Sequence, residues 1–133
     1  MNALHGLSVW NRACGLAIRT CESLNDCRDR VFREAMTRTA LGLASRIAEG
    51  YELDSKRQFA EYLRMAKSSC SELRTQLYIA AQLELIPLVR SNELMQETVD
   101  IARMLGGLIN WCENRAETTK MPHRSSAITQ AEL

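Results

Sequence analysis

Residues 59–80, FAEYLRMAKSSCSELRTQLYIA, decide the fold. Phe59, Leu63, Ala66, Cys70, Leu73, Leu77 and Ala80 recur at intervals of four, three, four, three, four and three. That is one apolar face of an α-helix, kept in heptad-like register over three heptads. Ser55 with Gln58 three residues on is a capping box that opens it. The pattern predicts a helix to about Leu85, roughly 45 Å long at 1.5 Å per residue. Pro87 then stops it.

Working outward, the segment before it repeats the logic. Phe32, Met36, Ala40, Leu43 and Ile47 form one stripe, widened by Leu41, Ala44 and Ala48. A helix from about Arg28 to Glu49, deeply buried in its second half, is expected. Gly50 is the natural left-handed cap with positive φ. Glu49 in the last turn is expected to be structural, with Arg46 one turn earlier or a cation on a neighbouring helix to offset the unfavourable helix dipole. Upstream, Trp10, Ala13, Cys14, Ala17, Cys21 and Leu24 mark a first helix capped by Ser8, and Asn25-Asp26 makes the turn and offers the next cap. Downstream, a fourth helix from Ser91 or Asn92 to about Arg115 shows two adjacent seams. One is Leu94, Thr98, Ile101, Leu105, Leu108 and Cys112; the other is Met95, Val99, Ala102, Gly106 and Ile109. The second seam can serve a partner subunit, or both can form a single wide core face. Four amphipathic helices with short connections predict an all-α, up-down-up-down four-helix bundle over residues 1–117. Residues 118–133, with Pro122, Ser125, Ser126, Thr129 and Gln130, read as a disordered tail.

Composition agrees. The chain has 133 residues, 46% apolar and 25% charged, with only 6 Gly and 2 Pro. It is long enough for one core and too apolar for a disordered chain. The five cysteines, Cys14, Cys21, Cys27, Cys70 and Cys112, include no CxxC pair, and His5 and His123 lie near opposite ends, outside the predicted helices. Reduced thiols acting as small hydrophobes are expected, in a cytoplasmic protein without a metal site. Neither a signal peptide nor an apolar run of membrane-spanning length is evident, so no membrane partner is expected.

Catalysis has no visible footing. There is no Glu-x-x-His di-iron signature, no Gly-rich phosphate loop, no G-x-S-x-G and no cysteine with a His partner. No enzyme activity, catalytic residue or cofactor is expected. Charge is more informative. Net charge is +1, but 14 of the 17 basic residues are Arg. On the third helix Arg57, Arg64, Lys67, Ser71 and Arg74 share a face away from the apolar seam; Arg30 and Arg33 lie one turn apart on the second. Residues 92–117 instead carry two Arg against five acids. The basic side could bind phosphates, or pair with another subunit's acidic helix. It could also be a solvated face with intrahelical pairs such as Arg57–Glu61.

Four motifs carry a resemblance. Leu7-Ser8-Val9-Trp10 resembles L-x-V-W, and Ile47-Ala48-Glu49-Gly50-Tyr51 resembles I-A-E-G-Y, followed by Ser55-Lys56 and Phe59 as in S-K-x-x-F. Ser71-Glu72-Leu73-Arg74-Thr75-Gln76-Leu77 resembles S/A-E-L-x-T-Q-L, and Met104-Leu105-Gly106-Gly107-Leu108-Ile109 resembles M-L-x-G-L-I. Together, over about residues 4–114, they are similar to the four-helix-bundle proteins encoded by intervening sequences in bacterial 23S ribosomal RNA genes. The resemblance implies a bacterial or phage cytoplasmic bundle that assembles into a homopentameric ring. It also implies kinship with the accessory protein of diversity-generating retroelements, a basic pentamer that binds nucleic acid and a reverse transcriptase. This chain departs from the family at Ala44, Ser45 and Arg46, where Pro, a small residue and Asn are usual; without the Pro a straighter helix is expected.

The first reading is therefore a non-enzymatic oligomeric bundle that binds nucleic acid, structured RNA foremost. Arg30, Arg33, Arg57, Arg64, Lys67 and Arg74 would carry the binding, and Met95, Val99, Ala102, Gly106 and Ile109 the subunit contact. The alternative is a structural or protein-interaction module without nucleic acid. A reverse transcriptase is a partner only if a retroelement is involved.

Overall fold

The computed structural model describes residues 2–114. They form five helices: α1 (Asn2–His5), α2 (Ser8–Ser23), α3 (Arg30–Glu52), α4 (Lys56–Gln82) and α5 (Leu88–Asn114). No strand occurs among the described residues. The four long helices form a helical bundle around one core. α4 packs most extensively on α5 and then on α3; α2 closes the circuit by touching both α3 and α5. The expected boundary at 117 and the tail 118–133 lie outside the described residues.

The seam that decided the fold is the core. Phe59, Leu63, Ala66, Cys70, Leu73, Leu77 and Ala80 are all fully buried, as are Met36, Ala40, Leu43 and Ile47 on α3. The first α5 seam, Leu94, Thr98, Ile101, Leu105, Leu108 and Cys112, is buried with them. Burial at this spacing supplies most of the drive for a helix longer than its isolated stability would allow. α2 and α5 are also clamped by charge. Arg12 donates from Nε and Nη2 to both oxygens of Glu97, at 2.9 and 2.7 Å, and reaches Asp100 at 3.5 Å. At the other end of α2, Arg90 donates to Ser23 Oγ at 2.9 Å. Arg64 meets Glu113, whereas Ser91, in the first turn of α5, donates to the Leu77 carbonyl at 2.8 Å.

Several helix ends differ from expectation, each for a local reason. α1 is an unforeseen single turn that buries Leu4 and Leu7. It places His5 within a helix, its ring edge-on to Trp10 at 5.3 Å. Leu7, not Ser8, is the N-cap of α2, without a side-chain cap. Asp29 caps α3 by accepting from the Phe32 N–H at 3.1 Å, so neither Asn25 nor Asp26 is used. Ser55 caps α4 as expected, accepting from Gln58 N–H at 3.2 Å.

Gly50 is not a cap. α3 runs past it to Glu52, and no described glycine has positive φ. The glycine is required because a Cβ there would lie 2.5 Å from Tyr62 Cβ and 3.1 Å from a Phe59 ring carbon. It lets α3 and α4 close on each other, with Tyr51 edge-on to Phe59 at 5.9 Å. The left-handed residue is instead Glu84, φ 61°. Its N–H donates to Ala81 O at 3.0 Å and that of Leu85 to Ala80 O at 2.8 Å. This Schellman turn ends α4 at Gln82, ahead of the expected Leu85. α5 then begins directly after Pro87, whose carbonyl accepts from Ser91 N–H at 2.9 Å. Ser91 is thus buried within the helix instead of capping it.

Candidate functional site

The flank of α4 that faces α5 gathers the cations. Lys56 is buried with its ammonium 4.3 Å from the Trp111 ring centre. Arg64 is half exposed and paired with Glu113. Lys67 is exposed and sits against α5 where Gly106 has no side chain; a Cβ there would be 3.6 Å from Lys67 Nζ. Arg74 donates from Nε to Thr98 Oγ1 at 2.9 Å, and that hydroxyl donates on to Met95 O at 2.6 Å. Beneath the flank lie two buried thiols. Burial pushes Cys70 up to about 12, with Arg74 and Lys67 pulling back. Burial pushes Cys112 up to about 11, with Lys56 and Arg64 pulling back. Neither thiol is a nucleophile at neutral pH.

The six expected nucleic-acid contacts therefore separate. Arg57, Arg64 and Lys67 are exposed on α4. Arg74 is half-buried and its Nε is engaged in the α4–α5 seam, because its helix position faces α5 more than solvent. Arg33 donates to the Cys27 carbonyl and so braces the α2–α3 connection. Arg30 is exposed and pairs with Glu34 at 3.0 Å. No described contact joins this α3 pair to the α4 group. Glu49 is offset by Arg46 at 3.5 Å, as its place in the last turns required.

The five expected subunit-contact residues, Met95, Val99, Ala102, Gly106 and Ile109, are all half-buried. Met95, Ala102 and Ile109 lean on the core, so each spends part of its surface within the chain. Gly106 and Ile109 also line a groove of about 800 Å³ between α4 and α5. Its other walls are Arg64, Lys67, Ser68, Ser71, Asn110 and Glu113. The expected basic face and the expected subunit contact thus meet in one surface. Ser68, Asn110 and Glu113 carried no signal of their own. Gly106, Ile109, Asn110 and Glu113 do recur at helical spacing, but only the packing of α4 on α5 gives that row a meaning.

Other exposed side chains are apolar, Val31, Met65, Tyr78 and Ile79 among them. Ile18 (59% exposed) and Leu41 (53%) face solvent beside Ala17 and Cys21, between α2 and α3. Leu83, Leu88 and Val89 stand out around the α4–α5 turn. All five cysteines are free, with Cys27, Cys70 and Cys112 buried and Cys14 and Cys21 only partly so. Among the described residues no group of His, Cys, Asp and Glu could hold a metal ion, and no helix is long and apolar enough to cross a membrane.

Comparison with known proteins follows the fold. The family model described as 23S rRNA-intervening sequence protein matches residues 5–107. No curated protein matches the chain. Among solved structures, a protein of unknown function from the S23 ribosomal protein family of Bacteroides thetaiotaomicron superposes with a TM-score of 0.71. The match covers 76% of this chain and 97% of that one at 19% identity, a likeness of fold alone.

Proposed function

Since the chain belongs to the 23S rRNA-intervening sequence protein family, we propose that it is a non-enzymatic, self-associating helical bundle that binds nucleic acid through the exposed cations of α4. The observation that carries this reading is the row Arg57, Arg64 and Lys67, which stays exposed along one flank of a rigid 27-residue helix. Cations held on a helix are placed to track a phosphate backbone. The helix contacts support an up-down-up-down arrangement: Arg64 with Glu113 and Leu77 with Ser91 run in opposite senses along α4 and α5. Association through the Met95, Val99 and Ala102 part of the half-buried α5 stripe, which leaves the groove at Gly106 and Ile109 open, would multiply a modest basic patch into many copies, raising avidity without new contacts. The resemblance supplies five as the subunit number. A cytoplasmic setting belongs to the same reading, and a reverse transcriptase partner belongs to it where the gene lies in a retroelement.

The test has two measurements on one sample. Light scattering should give a mass near five chains, and Val99→Glu should lower it without loss of helicity. Binding to a structured RNA at about 50 mM salt should weaken steeply as salt rises, because neutralised phosphates release counterions. Arg57→Glu with Lys67→Glu should weaken it for all sequences and flatten the salt dependence. A wild-type oligomer that binds neither RNA nor DNA would leave the interaction-module reading. That reading is favoured by the solvent-facing Ile18, Leu41 and Val89.

A further inference from the structure

The α4–α5 groove holds more donors than the protein uses. Ser69 and Thr75, on the same helix, donate their hydroxyls to Met65 O at 3.2 Å and Ser71 O at 2.9 Å. Ser68 and Ser71, which face the groove, make no side-chain hydrogen bond among the described residues, and neither does Asn110. Lys67 has no carboxylate partner there either, although Glu113 lies in the same groove. That carboxylate is committed to Arg64.

Gly106 sharpens the case. It sits in the middle of α5 with ordinary helical φ, where glycine costs about 1 kcal/mol relative to alanine. No backbone conformation requires it, and a Cβ would meet only Lys67 Nζ, at an ordinary contact distance of 3.6 Å. The missing side chain lets the Lys67 ammonium lie close over the α5 backbone. An ammonium, two hydroxyls and an amide therefore line one groove, with a guanidinium in the same lining.

We propose that this groove is a phosphate-binding subsite, in which Lys67, Ser68, Ser71 and Asn110 hold one phosphate group and Arg64 turns to it from Glu113. A tetrahedral phosphate takes donors on several oxygens at once, which suits four donors from two helices. The open groove of about 800 Å³ has room for a phosphate that carries a further group. Its source is a nucleic-acid backbone under the function proposed above, on which that part rests, or a free phosphate compound.

The experiment uses the full chain, isotope-labelled, titrated with inorganic pyrophosphate at low salt, beside an RNA-binding assay. Gly106→Asp places a carboxylate beside Lys67, and Gly106→Ala adds bulk without charge. Thermal melts verify that both variants fold, and light scattering that both keep the wild-type mass. The expected result is amide shifts at Lys67, Ser68, Ser71 and Asn110, retained in Gly106→Ala and lost in Gly106→Asp. RNA affinity should fall about tenfold in Gly106→Asp, the scale of a lost hydrogen bond to a charged group. Groove shifts without any RNA binding keep the subsite, assign it to free phosphate compounds and remove the nucleic-acid function. RNA binding that Gly106→Asp leaves unchanged, or pyrophosphate shifts lying elsewhere or nowhere, overturns the subsite; RNA binding by the wild type then stands on the other cations.

Discussion

At the scale of single residues, two positions are set by backbone geometry. Gly50 has a Tyr62 carbon 2.5 Å from where its Cβ would be, whereas Gly42 has nothing within 4 Å. Gly50→Ala should destabilise by about 1–3 kcal/mol through overpacking. Gly42→Ala should instead be neutral or stabilising by up to about 1 kcal/mol through helix propensity. Chemical denaturation of the two variants checks the contrast, and equal effects would refute it. Glu84 is the mirror case. It occupies a left-handed cap where glycine is free of Cβ strain, so Glu84→Gly should raise stability by about 0.5–1 kcal/mol, read as a higher melting temperature. The capping residue was sought at Gly50 because glycine is the usual signal. Nothing in the composition of residues 83–86 marks Glu84, since the turn is imposed by α4 and α5 having to pack side by side.

Between elements, the α2–α5 clamp is the main polar tie. Arg12 is held bidentately by Glu97, and its guanidinium pKa is raised first by that hydrogen bond. Glu97 side-chain exposure is 16% and that of Arg12 is 40%, so solvent screens part of the gain. A double-mutant cycle of Arg12→Ala and Glu97→Ala should return a coupling of about 1 kcal/mol. A value near zero would make the clamp incidental. The partners are 85 positions apart, and Arg12 alone looks like any solvated arginine. Arg74 shows the same limit, since its offset from Arg57 and Arg64 suggested a common face. The helix has a broad flank there, and only the approach of α5 divides it into an exposed row and a seam.

At the scale of the whole molecule, the core carries a pH dependence. Cys70 and Cys112 are raised by burial from 9.0 to about 12 and about 11. Unfolding would return them to the ordinary thiol range, so the unfolded chain loses protons first as pH rises. Their contribution is fully present below pH 9 and is lost progressively as pH climbs toward the folded-state values. Denaturation midpoints should therefore fall from pH 9 upward, and the decline should be shallower in Cys70→Ala with Cys112→Ala. An unchanged slope would place the alkaline loss in other groups.

The sequence by itself determined the all-helical class and the core. The apolar periods of α3, α4 and α5 depend only on 3.6 residues per turn and on burying apolar surface, both of which are local in the chain. Ser55 as a cap and the Arg46–Glu49 pair were legible for the same reason, because each involves residues within one turn. Tertiary structure alone decided which cations remain in solvent, why Gly50 is glycine, and where the groove lies. Each of these depends on the gap between two helices. That gap is set by side chains far apart in sequence, whose meeting no single helical period encodes.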